Sequence, residues 1–164
     1  MMLSRELERK GRFKLTIWPD HCLIGTRGHA VVPELNKALQ EWATYSERPI
    51  VYVSKGQNCR TEMYSALSSE VGDPTDFSTD FNSELMSMLR VSERVCLCIF
   101  YYLYHFIPTS HYIILQLIVC GQALSHCVNY TLDDIMRHWQ GDLSKIVLLE
   151  DGSNTLLPIL ILYI

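Results

Sequence analysis

The chain has 164 residues and a mass of 19.0 kDa, with 48% hydrophobic residues, 20% charged residues and a formal net charge of −4. That is the size of one domain, long enough to bury a sizeable core. The acidic balance removes the electrostatic case for nucleic acid, which calls for a basic patch, and sparse Gly and Pro without a lasting heptad remove collagen-like, coiled-coil and disordered classes.

Residues 1–12 read as a charged N-terminal extension, helical or frayed, and residues 3–14 are too densely charged to be a secretory leader. Phe13 to Trp18 suits a short strand running into the turn at Pro19. Glycines 25 and 28 mark a loop. From Val32 onward, Leu35, Ala38, Leu39 and Trp42 recur at helical spacing, and Pro33 suits a first turn. Pro49-Ile-Val-Tyr-Val53 is short, β-branched and uncharged, as a buried strand is. Asn82 to Leu89 sets Leu85, Met88 and Leu89 on one helical face. Leu117 to Cys120 is a second buried strand ended by Gly121, and a helix follows through Cys127 to His138. Lys145 to Leu149 is a third, ending at Glu150-Asp151-Gly152. Apolar strands alternating with helices predict an α/β fold, a parallel sheet with helices on both faces. Chemistry in such sheets gathers at the carboxyl ends of the strands. That rule brings Lys55, Cys127, Glu150 and Asp151 to one rim.

Between Arg94 and Asp133 there is no Asp, Glu, Lys or Arg. Residues 95–116 are long enough to span a bilayer, but Pro108, Thr109, Ser110 and His111 interrupt the run. The interruption argues against a membrane span. Removing the segment joins Arg94 to Leu117, a connection length usual for α/β units. Its 22 codons preserve the reading frame, and its ends permit splice signals. Residues 95–116 therefore read as a translated, unspliced insert that lies outside the core or displaces it, an aggregation liability.

Cys127 stands six residues after a strand-ending glycine. A thiol at a helix start feels the positive end of the macrodipole, which favours the nucleophilic thiolate. Against this, most free cysteines only pack as small apolar residues. Lys55, four apolar residues and a serine into its run, has the bland reading of a solvated strand-end lysine. His21 in Trp-Pro-Asp-His-Cys is weak as a metal ligand by itself, since zinc needs three or four. Cys22 and Cys59 have no spacing that makes them its companions. His126 invites a Cys–His pair with Cys127, but adjacent residues on an α-helix point about 100° apart. The six cysteines, at 22, 59, 96, 98, 120 and 127, form no CxxC pair, which suits a reducing, cytoplasmic compartment.

Four blocks in order, IWPDHCLIGTRGH, YVSKGQNCRTEMYSAL, LIVCGQALSHCVNYTLDDI and VLLEDGS, resemble the isochorismatase-like cysteine hydrolases, and within them the nicotinamidase branch. The resemblance implies a doubly wound parallel sheet over residues 13–155 and a Cys–Lys–Asp triad. In it Cys127 matches the cysteine that attacks an amide carbonyl, and Lys55 the lysine that assists it. It also implies an oxyanion hole beside a cis peptide at Gln122-Ala123, formed with Ala123 and the amide of Cys127. His21 matches a ligand of zinc or another divalent metal. The substrate class implied is a small carboxamide such as nicotinamide, cleaved through a thioester. Three departures accompany it. The family's aspartate on a first strand and its Asp-x-His metal pair have no match in residues 1–17, so the first strand is expected to be missing, activity impaired and metal held weakly if at all. Residues 95–116 split the step before the nucleophile, and residues 156–164 are an apolar tail where a helix should follow. Two other functions stand beside this one: a non-catalytic remnant that associates, including with itself, through an exposed sheet edge, or a small protein anchored in a membrane by residues 95–116.

Overall fold

Five strands line up in the order β1 (Ile50–Val51), β3 (Tyr104–His105), β2 (Arg94–Ile99), β4 (Gln116–Gln122) and β5 (Ile146–Asn154) in the computed structural model. It describes residues 2–91, 94–99, 104–105 and 116–154. β2, β4 and β5 are parallel, whereas β3 is antiparallel to both of its neighbours. The fold is mixed α/β. The wholly parallel sheet expected from the sequence is corrected at β3, and chain length is the reason. Only residues 100–103 separate β2 from β3, and a parallel crossover takes a dozen or more.

Among the described residues four helices accompany the sheet: α1 (Met2–Arg9), α2 (Pro33–Ser46), α3 (Ser83–Val91) and α4 (Asn129–His138). Pro33 opens α2 as expected. Side chains alternate along β4. Leu117 and Val119 join Leu85, Met86 and Leu89 of α3 and Ile135 of α4, while Cys120 turns to Leu35 and Leu39 of α2. β2 repeats the pattern, with Leu97 and Ile99 on the first side and Cys96 on the second. Helices thus cover both faces of the inner strands.

Residues 95–99, part of the segment read as an insert, make up most of β2, and Leu97 and Ile99 are buried. For Cys96, Leu97 and Ile99 a place outside the core is corrected: all three pack into it. The cause is the open side of β4: buried backbone donors and acceptors need partners, and β2 pairs in register from Arg94–Gln116 to Ile99–Gly121. Contact there is close, since a Cβ built on Gly121 would meet the Ile99 carbonyl oxygen at 2.1 Å, and Gly121 has φ +130°. Residues 100–103 and 106–115, with the tail beyond Asn154, fall outside the described residues. Among the described residues no helix is long and apolar enough to cross a membrane.

Two further expectations change. Residues 12–19 form no regular element, because Leu15 and Ile17 are exposed and no sheet face rewards their alternation. The third strand does not end at Glu150. β5 continues to Asn154 through a bulge in which residues 149–152 stand opposite Cys120 alone. The N-terminal extension is tied down: Leu7 is fully buried, and Arg12 pairs with buried Glu70 at 2.7 Å.

Candidate functional site

Beyond the end of β4 the chain makes one wide, π-type turn, Leu124–Val128, before α4 begins. The N–H groups of His126 and Val128 both donate to the Ala123 carbonyl. Cys127 sits in this turn, buried at 7% exposure and packed into the larger core. The peptide bond Gln122–Ala123 is cis.

Lys55 reaches Cys127 from the loop after β1. Its Nζ donates to the Met63 carbonyl at 2.7 Å and lies 3.6 Å from Cys127 Sγ. At 8% exposure the ammonium is largely withdrawn from water, so it is not the solvated strand-end lysine of the bland reading. β1 and β4 are not neighbours, since β3 and β2 lie between them. The loop carrying Lys55, and not strand adjacency, closes the distance. Charge-assisted contacts are the stronger kind of hydrogen bond.

Both groups open on a cavity of about 800 Å³, within the range of small-molecule sites. Its wall includes Trp18, Glu62, Tyr64, Ala123 and His126. The aromatic rings hold one another edge-on: His126 lies 5.6 Å from Trp18 and 5.1 Å from Tyr64, between ring centroids. Trp18 Nε1 donates to the Tyr64 hydroxyl at 3.2 Å. Burial pushes that hydroxyl up to about 12, so it stays protonated at neutral pH. Burial lowers His126 below its ordinary value, with Glu62 opposing, so its imidazole is neutral there as well. Flat aromatic walls around a buried sulfur and a cation suit a small planar molecule with one polar group.

The structure brings Lys55, Cys127 and Ala123 together and leaves Glu150 and Asp151 outside. Both carboxylates are exposed on the β5 bulge, and neither lines the cavity. His21 lines the cavity but is exposed, with Nδ1 2.6 Å from the Pro19 carbonyl oxygen. Among the described residues no three His, Cys, Asp or Glu side chains converge where they could hold a metal ion. Among the described residues, the donors around His21 thus fall short of the three protein ligands that a catalytic zinc site takes.

Two residues of the wall escaped the sequence. Glu62 is the one carboxylate among the described residues lining the cavity; no sequence signal marks it, and it stands just before Met63, whose carbonyl accepts a hydrogen bond from Lys55. His126 was set aside on α-helical geometry. The turn is wider than an α-helix, and both His126 and Cys127 face the cavity. Set against known proteins, the chain matches no family model, no curated protein and no solved structure.

Proposed function

We propose that this chain is an isochorismatase-like cysteine hydrolase of the nicotinamidase kind, built on a doubly wound sheet, that cleaves the C–N bond of a small planar carboxamide such as nicotinamide. The observation that carries the reading is the buried Lys55 Nζ 3.6 Å from Cys127 Sγ at the wall of an aromatic-lined cavity. A lysine hidden this deeply costs free energy unless its charge serves a partner. A nucleophilic sulfur is such a partner.

In this mechanism Cys127 Sγ attacks the amide carbonyl carbon, and the carbonyl oxygen takes the negative charge. The N–H groups of Ala123 and Cys127 are the donors for that oxyanion, a stabilisation of about 3 kcal/mol per donor in well-formed sites. Collapse breaks the C–N bond, the leaving nitrogen takes one proton from solvent and departs as ammonia, and the thioester left on Cys127 is cleaved by water to the carboxylate. Lys55 holds the sulfur as thiolate at the start and at the end of the cycle. Trp18, half-buried in the cavity wall, offers an apolar surface for the flat ring of the substrate.

Ammonia release from nicotinamide tests this. The native chain should release it catalytically, Cys127→Ser should abolish release, and Lys55→Met should lower it by ~10²-fold or more. Equal release by the native chain and Cys127→Ser, or none from the native chain, overturns the proposal.

A further inference from the structure

We infer that His126 is the general base of the second half-reaction, taking the proton from the water that cleaves the Cys127 thioester. The inference rests on the hydrolase reading above and supplies what that reading lacks, a base in place of the carboxylate with no match in residues 1–17.

The wall of the cavity holds three histidines and one carboxylate among the described residues. His21 is exposed and turned to the Pro19 carbonyl. Glu62 Oε1 accepts from the Met63 N–H at 3.2 Å. His29 lines the same cavity from the short 27–29 turn, a segment of the chain separate from the nucleophile's turn. His126 adjoins the nucleophile in the chain, shares its turn and its cavity, and is fixed in orientation. Trp18 and Tyr64 clasp its ring edge-on, and its Nδ1 lies 2.8 Å from Ser125 Oγ. With Nδ1–H donating to that hydroxyl, Nε2 keeps its lone pair, the tautomer a base requires. A ring clasped on two sides and bonded at one nitrogen is held in one orientation at the wall of the cavity that Cys127 also lines.

The step balances. Nε2 takes one proton of the attacking water as its oxygen bonds the thioester carbonyl carbon. The C–S bond then breaks, and its electron pair returns to Cys127 Sγ as thiolate beside Lys55. The acid product and the imidazolium each give a proton to solvent. Water supplies every atom, and no oxidant or reductant takes part.

The other titratable groups sharing this cavity are Cys22, Lys55, Glu62, Tyr64 and Cys127, with the two histidines already described. Of these, Glu62 bears on His126 by favouring its cation, while burial favours the neutral ring. The base is therefore active at neutral pH and lost as pH falls below the ordinary histidine range.

The test separates acylation from deacylation with p-nitrophenyl acetate, an acyl donor that needs no amide cleavage. A nitrophenolate burst lost in Cys127→Ser shows an acyl-cysteine, and the slow phase after the burst reports its hydrolysis. His126→Asn should keep the burst and slow the second phase by ~10²-fold or more. Intact mass should then show the acetyl group accumulated on Cys127, and added imidazole should restore the rate. Should the variant fail to fold, the native chain still decides: its slow phase should fall with acid, with a midpoint below about 6.5, the ordinary histidine value. A slow phase unchanged in His126→Asn, or flat in pH through that range in the native chain, overturns His126 as the base and leaves Cys127 as nucleophile intact. A burst that persists in Cys127→Ser, or is absent from the native chain, overturns the hydrolase reading itself.

Discussion

Arg12 and Glu70 show how single residues bind the N-terminal segment to the domain. The Glu70 side chain is wholly buried, its Oε2 accepts from Arg12 Nε at 2.7 Å, and the Arg12 guanidinium lies 5.1 Å from the Tyr130 ring centroid. Glu70 Oε1 is buried without a hydrogen-bond partner, and burial raises its carboxyl above the ordinary 4.5 despite Arg12. The sign follows from linkage. Between the ordinary and the raised value the folded state keeps a proton that the unfolded state has lost, so stability declines as pH rises through that window. Above the window the loss is complete and constant. Urea unfolding across the window should show that decline in the native chain and not in Glu70→Gln. A native chain that gains stability relative to the variant as pH rises there would exclude this burial cost. The same scale decides how much of the site could be read in advance. Lys55 and Cys127 were legible because each follows an apolar run that reads as a strand, and strand ends are where α/β folds place chemistry, although the run before Lys55 is only half-buried, with Tyr52 exposed. His126 was not, because the spacing rule used for it belongs to the α-helix while the chain there makes a π-type turn.

Among the elements, α2, α3, α4 and β4 were legible from periodicity and from the contrast between apolar runs and turn residues. β2 was not. Its residues, RVCLCI, read as the start of an uncharged foreign segment because no local pattern says that β4 lacks a neighbour on that side. Pairing partners are a property of the whole sheet, and one strand's sequence does not carry them. The bulge in β5 was hidden for a similar reason: Glu150-Asp151-Gly152 looks like a strand end, yet Ser153 and Asn154 resume pairing with Gly121 and Gln122. Since Leu97 in β2 is fully buried between β4 and the α3 side of the core, Leu97→Ala should cost about 2–5 kcal/mol of stability. Chemical denaturation reads this as a lower midpoint with an unchanged slope. A loss below about 0.5 kcal/mol, the range of surface substitutions, would remove β2 from the core.

Over the whole molecule, two cores on opposite faces of the sheet hold the rim from which the site is built. The larger one grips Cys127 and Val128 directly, so the nucleophile's turn is positioned by packing on α3, α4 and β4. The loop after β1 brings Lys55 across to meet it, and the N-terminal segment adds Trp18 and Phe13, the latter's ring 5.1 Å from that of Tyr64 and tilted by 50°. A thiol held in this way should combine low exposure with high reactivity, whereas a merely packed cysteine combines low exposure with inertness. Timed alkylation by iodoacetamide in the folded chain, with peptide mapping of all six cysteines, distinguishes the two. Cys127 should be modified faster than exposed Cys59 despite its burial, and Lys55→Met should slow Cys127 by ~10-fold or more while leaving Cys59 unchanged, in keeping with the loss of a charge-assisted contact. Modification of Cys127 that is slower than that of Cys59 and indifferent to Lys55→Met would mean that the buried pair is packing and nothing more.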